Sequence, residues 1–238
     1  MQHQRLMTLL PALPDEPQPS PIPLQEAIDL VTQELDGRQL QAEDTLLQML
    51  DCKNMEALLQ EQDWFDERGP RSKQQLQERT DLPPYMEEFV VQWEAGTISG
   101  PYPFDALWRD YFENLYETGA RTHSRFLMES AIWETEVRNG LARQRAANLG
   151  WEAEPRLLAP QHGGPAIQDL MMQVKEAATP LAKQRVVDQA RLAAIDEMGA
   201  QGPFSLDAVL RYLAKVLVLD RWAAPHETNL KEVLNQLG

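Results

Sequence analysis

A single cysteine, Cys52, occurs in 238 residues. That excludes an internal disulfide and any zinc site built from several thiolates. Basic residues are also scarce, with 22 Lys and Arg against 37 Asp and Glu and a formal net charge of −15. A nucleic-acid binder meets phosphates with clustered Lys and Arg, so this balance counts against one. No stretch of the sequence approaches the roughly 18 apolar residues of a membrane span. The apolar opening Leu6-Met7-Thr8-Leu9-Leu10 is cut by Pro11 and Pro14 without a small-residue cleavage site, so a secretion signal is not expected. The expected location is therefore cytoplasmic, with any attachment to the inner membrane made through a partner. Period-two alternation is almost absent, which argues against strands.

Recognisable catalytic signatures are missing too. The four histidines, His3, His123, His162 and His226, include no i, i+4 pair. There is no HExxH, no P-loop, no dinucleotide glycine fingerprint and no GxSxG. Gly163-Gly164 follows His162 but lacks a phosphate-binding helix pattern. Cys52 has Lys53 beside it, which favours a thiolate, yet nothing supplies an acid–base partner; a buried, inert thiol is the expectation. No cofactor and no metal site is expected.

What is present is helix, and 43% hydrophobic residues to pack it. Six of 17 prolines fall within residues 11–23, so residues 1–23 read as an extended lead-in. Prolines are absent from 24–69 and 104–154. In the first window Ile28, Leu30, Val31 and Leu35 form an amphipathic set closed by Gly37. Leu46, Leu47, Met49 and Leu50 form a second set. Met55, Leu58 and Leu59 form a third, after a short break near Asp51. Ser72 is placed to cap a helix running toward Thr80, and Pro84 to open the next. Phe112, Tyr116, Gly119, His123, Phe126, Ser130, Trp133, Val137 and Leu141 step by threes and fours. They predict one face of a long helix, or of two helices broken at Gly119, with His123 a hydrogen-bonded interior residue. After a loop at 155–165, helices are predicted from Ile167 to Ala178, from Leu181 to Met198 and from Leu206 to Leu219 behind Ser205. A final one, capped by Thr228, carries Leu230, Val233, Leu234 and Leu237. The fold class is all-α, divided into the lead-in, an acidic helical region 24–154, the loop and a C-terminal helical region 166–238, all compatible with one compact domain.

Charge and motif both distinguish regions of the chain. Residues 1–120 carry 8 Lys and Arg and 23 Asp and Glu, whereas residues 121–238 carry 14 of each. The entire excess of acid lies in the first half, either as solvated helix faces or as a surface for a basic partner. An internal echo links the halves. Asp51-Cys52-Lys53-Asn54 and, 85 residues later, Glu136-Val137-Arg138-Asn139 share an acid, a base two positions on and an asparagine three positions on. At i, i+3 the carboxylate and the amide are neighbours on a helix surface. The amide offers two donors and an acceptor for tying a helix to adjoining backbone. Thr228-Asn229-Leu230 is a fainter third copy without the preceding acid. The echo points to duplicated helical lobes.

These two motifs resemble the repeated acid-x-x-Asn helices of the funnel-shaped central-stalk subunit of V/A-type ATPases. More closely, the chain resembles a smaller bacterial family encoded inside V/A-type ATPase operons. The features that carry this resemblance are Leu9-Leu10-Pro11-Ala12-Leu13-Pro14, Leu82-Pro83-Pro84-Tyr85-Met86, the stretch from Arg138 to Trp151, and Leu213 to Trp222. The resemblance implies an all-helical, non-enzymatic coupling part that joins the central shaft to the membrane rotor ring, transmits torque and holds no nucleotide. The chain is shorter than the three-lobed funnel. Asp51, Asn54, Glu136 and Asn139 are then lobe-shaping or docking residues, with the structural role favoured, and Glu87 and Glu88 lie on an acidic face toward a basic shaft or stator surface. The partners expected are the other ATPase subunits. Two alternatives are a helical adaptor or assembly factor for the same machinery, and a metal-dependent hydrolase using His123 with Glu129 or Glu134.

Overall fold

Serine and threonine hydroxyls set several helix starts in the computed structural model, which describes residues 3–98, 102–154, 157–158, 164–199 and 202–223. Ser72 accepts from Gln75 N, and Gln75 returns a side-chain bond to the Ser72 backbone, so a capping box opens α4 (Lys73–Glu78). Ser124, Thr179 and Ser205 accept from the third residue onward at the starts of α7 (Arg125–Leu149), α9 (Pro180–Glu197) and α10 (Leu206–Asp220). Proline occupies the first turn of α5 (Pro84–Glu94), α8 (Pro165–Glu176) and α9, where its missing N–H costs nothing. The remaining helices are α1 (Gln4–Leu9), α2 (Leu24–Thr32), α3 (Gly37–Leu59) and α6 (Phe104–Thr122). Among the described residues there is no strand, and the chain is all-α.

Several boundaries differ from those the sequence predicts. The lead-in is not wholly extended: Gln4–Leu9 are helical, with Leu6 in the core. Gly37 does not close α2 but begins α3, at φ +43. No break occurs near Asp51; α3 runs continuously through it, because Asp51 and Asn54 find partners outside the helix and do not compete with its backbone. The turn in the long apolar face comes at His123, not Gly119. His123 adopts the left-handed conformation that ends α6, and its side chain is not part of the core. Gly119 has another role: a Cβ there would lie 2.8 Å from Met128 Cγ and 2.9 Å from Ser124 O, so glycine lets α6 and α7 close on each other. Tyr116, on the same predicted face, is exposed. The predicted helix with Thr228, Leu230, Val233, Leu234 and Leu237, together with His162, Gly163, His226 and most of the 155–165 loop, lies outside the described residues.

Helix α10 is the centre of the molecule. From Asp207 to Leu219 every residue except Arg211 is buried, as expected of a helix apolar nearly all round. It packs against α2, α3, α7 and α9. Helices α3, α5 and α6 complete this main core, where Trp93 and Phe104 rings lie tilted with centroids 4.8 Å apart and Trp108 meets Tyr111 edge-on at 5.8 Å. A second, smaller cluster, Val137, Ile167, Leu170, Val174 and Val187, joins the C-terminal half of α7 to α8 and α9. Trp133 touches both. The α6–α7 hairpin therefore runs from one core into the other.

Candidate functional site: two asparagine-pinned helices

The first copy of the echoed motif sits on α3, facing the segment that leaves it. Asn54 is fully buried. Its Oδ1 accepts from Asp66 N at 2.7 Å and its Nδ2 donates to Asp66 O at 2.8 Å, so one amide satisfies both backbone groups of a returning residue. The Asp66 carboxylate in turn takes Arg68 bidentately, Nε and Nη2 each at 2.8 Å, and Arg68 Nη1 reaches Asp220 at 2.7 Å. Burial alone would raise the Asp66 pKa; the hydrogen bonds from Arg68 outweigh it and hold that carboxyl below its usual value. The loop is thereby fixed to α3 at one end and to the end of α10 at the other.

Asp51, one turn earlier, is also fully buried. Its Oδ1 accepts from Arg71 N at 3.2 Å and its Oδ2 from Arg71 Nη1 at 3.3 Å, while the same guanidinium reaches Asp44 and the Asp81 carbonyl. Between the two contacts lies Gly69, where a Cβ would sit 2.6 Å from Asp51 Oδ1 and 3.3 Å from Asn54 Nδ2. The loop backbone rides directly on the two polar side chains, which only glycine permits. Burial pushes the Asp51 carboxyl up to about 7, and the bonds from Arg71 offset it only in part.

Cys52 belongs to the same helix turn. Its thiol is buried 3.5 Å from the Tyr85 hydroxyl, and burial pushes its pKa up, the opposite of the shift Lys53 would produce alone. Tyr85 donates onward to Gln48 at 3.2 Å, and Gln48 to Asp44 at 2.7 Å. A polar thread thus runs through the α3–α5–α6 interface with its groups hydrogen-bonded.

The second copy repeats the central device. Asn139 on α7 is fully buried and its Oδ1 accepts from Leu158 N at 2.8 Å, pinning the segment that follows α7. Gly140 beside it lets α8 approach: a Cβ there would lie 2.8 Å from Met171 Sδ. The basic member, Arg138, points back to the first core, its guanidinium 3.9 Å over the Trp108 ring and 5.5 Å from Phe112. Burial lowers its pKa, opposed by Glu134 and Glu56. The acid is not equivalent to Asp51, since Glu136 is only half-buried.

The predicted site residues therefore separate into two classes. Asp51, Asn54 and Asn139 are interior groups facing chain segments of the protein itself, so they are not surface docking contacts. Glu87 and Glu88 lie on the outer face of α5, exposed. Asp110 on α6 is near enough that its pKa, raised mainly by burial, rises further from the Glu88 charge. His123, Glu129 and Glu134 are not brought together as a metal site: Glu129 accepts from Arg125 and from Gly199 N, and Glu134 is held by Arg191. Among the described residues no group of three or more His, Cys, Asp or Glu is placed to hold a metal.

Compared with family models, curated proteins and solved structures, the chain matches none.

A further hub is not marked by any motif. Asp188 on α9 is fully buried and accepts from Gln184, Arg191 and Trp222, with Arg221 Nη2 3.1 Å away. Arg191 also pairs with Glu134, so α7, α9 and the residues after α10 are joined through Asp188 and Arg191. A local signal exists, with Gln184 four residues before Asp188 and Arg191 three after it. The partners from α7 and beyond α10 are invisible in local spacing.

Proposed function

We propose that this chain is a non-catalytic subunit of a bacterial V/A-type rotary ATPase, a stiff helical coupling part between the shaft and the membrane rotor ring. The observation that carries the reading is the pair of acid-x-x-Asn helices, Asp51 to Asn54 and Glu136 to Asn139, each with its asparagine pinning the following segment. The motif order along the chain, which resembles the operon-encoded family, supports the same reading. A torque-bearing spacer needs internal ties that resist shear and outward polar faces that dock; buried amides bonded to backbone supply the first. The acidic α5 face with Glu87 and Glu88 supplies the second, toward a basic shaft or stator surface. None of the helices among the described residues is long and apolar enough to cross a membrane. In this reading, attachment to the rotor ring runs through protein contacts in a cytoplasmic, membrane-peripheral setting.

The test is co-purification of tagged chain with shaft and ring subunits from an intact, isolated complex. Stoichiometric recovery supports the reading, and absence from the intact complex sinks it. The second reading, an adaptor or assembly factor for the same machinery, draws on the same exposed acid, which would shield a basic partner until assembly ends. Counting copies per mature complex separates the two, because an assembly factor is missing or substoichiometric there.

A further inference from the structure

The proline-rich lead-in is held against α9 and α10 in the manner of a bound peptide. Leu10, at φ −70 and ψ 134, and Pro23, at φ −59 and ψ 144, flank the segment with polyproline II dihedrals, and the chain bends between them at residues 15–18. Between them, three side chains of the helical body donate to its carbonyls: Tyr212 Oη to Pro11 O at 3.1 Å, Gln189 Nε2 to Asp15 O at 2.9 Å, and Arg185 Nη1 to Pro17 O at 3.0 Å. Lys215 Nζ, held by the Asp196 carboxylate at 2.9 Å, also reaches the Asp15 carboxylate at 3.2 Å. Pro17 is buried, and the guanidinium that holds its carbonyl lies 4.6 Å over the Trp222 ring. Aromatic groups combined with side-chain donors aimed at the carbonyls of an extended segment are the way grooves read proline-rich ligands, whose stiff backbone loses little entropy on docking.

We propose that the α9–α10 face is a docking groove for proline-rich, acidic segments, occupied in cis by Pro11 to Pro17, and that a partner protein carrying such a segment displaces the strap. The cis occupant defines the ligand chemistry. It is a segment with carbonyls for Tyr212, Gln189 and Arg185, an acid for Lys215, and a proline two residues after that acid. Displacement is sterically open because Asp15, Glu16, Gln18 and Pro19 face solvent, Asp15 at 86% exposure. Leu10 and Ile22 anchor the strap ends in the core, so the middle can lift while both ends stay in place. This inference does not depend on the rotary-ATPase reading.

The test uses the full chain with its own strap weakened by Asp15→Ala and Pro17→Ala, and a fluorescent peptide with the sequence of residues 9–20 followed by anisotropy. The weakened chain is expected to bind the peptide at least about tenfold more tightly than the unsubstituted chain, whose tethered strap competes at high effective concentration. Adding Arg185→Ala and Gln189→Ala is expected to abolish binding. No binding to the weakened chain, or binding indifferent to the groove substitutions, overturns the proposal. A measurement on the unsubstituted chain guards against misfolding of the variants. In the isotope-labelled unsubstituted chain, excess unlabelled peptide should move the Asp15, Glu16 and Gln18 amide resonances toward those of the free peptide, and unmoved resonances overturn the proposal as well.

Discussion

The two asparagine-pinned helices do the same job with very different support. Around Asn54 the pin is reinforced by a second buried acid, by Arg71 and Arg68, and by a glycine pressed against both polar side chains. It also lies within the large core built around α10. Around Asn139 the matching acid is half-buried, and the adjacent hydrophobic cluster consists of five buried residues. Polar links between this smaller lobe and the body include the stack of Arg138 on Trp108 and the Glu134–Arg191–Asp188 bridge, beside the Trp133 ring that touches both clusters. The repeated motif therefore preserves a bond from a buried amide to the following backbone, while the buried partners on which the strength of such a tie depends differ between the copies.

This contrast can be broken or sharpened by substitution. Asn54→Ala strands both backbone groups of Asp66 and should destabilise the protein most, by about 3 kcal/mol in urea unfolding. Asn139→Ala should cost less, about 1–2 kcal/mol, and should lower the cooperativity of unfolding as the smaller lobe loosens first. Equal costs would remove the distinction between the lobes.

Asp51 gives the first lobe a pH signature. Its folded pKa, about 7, lies above the ordinary aspartate value of 3.8, so the folded state binds the proton more tightly than the unfolded chain. Its stabilising contribution is complete below about pH 4 and is lost as pH rises through about 7. Between about pH 6 and pH 8 the loss is on the order of 1.4 kcal/mol. Asp51→Asn should remove this part of the pH dependence, measured as the difference between wild-type and variant melting curves. The smallest effect on stability belongs to the surface. Reversing Glu87 and Glu88 to lysine together should change unfolding by less than about 0.5 kcal/mol. On the proposed coupling role, the same change should weaken association with the ATPase subunits, most visibly at low salt; unchanged assembly at low salt would count against that orientation.

What local chemistry decides is legible in the sequence. Ser72, Ser205, Pro84 and Pro180 mark helix starts because capping and proline geometry act within a few residues. The two asparagines stand out because their spacing repeats, but spacing does not reveal their partners, the Asp66 and Leu158 backbones. The illegible part is decided at long range. Asp51 reads as a helix break because an aspartate within an apolar run ordinarily meets water; here Arg71, 20 residues away, meets it instead. His123 shares an apolar period yet is the left-handed residue of a turn, because Asp207 of α10 bonds Ser124 Oγ and Phe126 N and fixes the start of α7 there. The lead-in reads as extended and unattached, but its seat on α9 and α10 depends on residues 168 to 201 positions away.

Native-state hydrogen exchange at the two pinned amides is the most direct test of unequal lobes joined by equivalent ties. Asp66 N–H should exchange only with global unfolding, and Leu158 N–H through a smaller opening of lower free energy, with Asn54→Ala and Asn139→Ala each accelerating its own amide. If Leu158 N–H proves as protected as Asp66 N–H, or if neither substitution accelerates its own amide, the account of two pinned lobes of unequal strength is wrong.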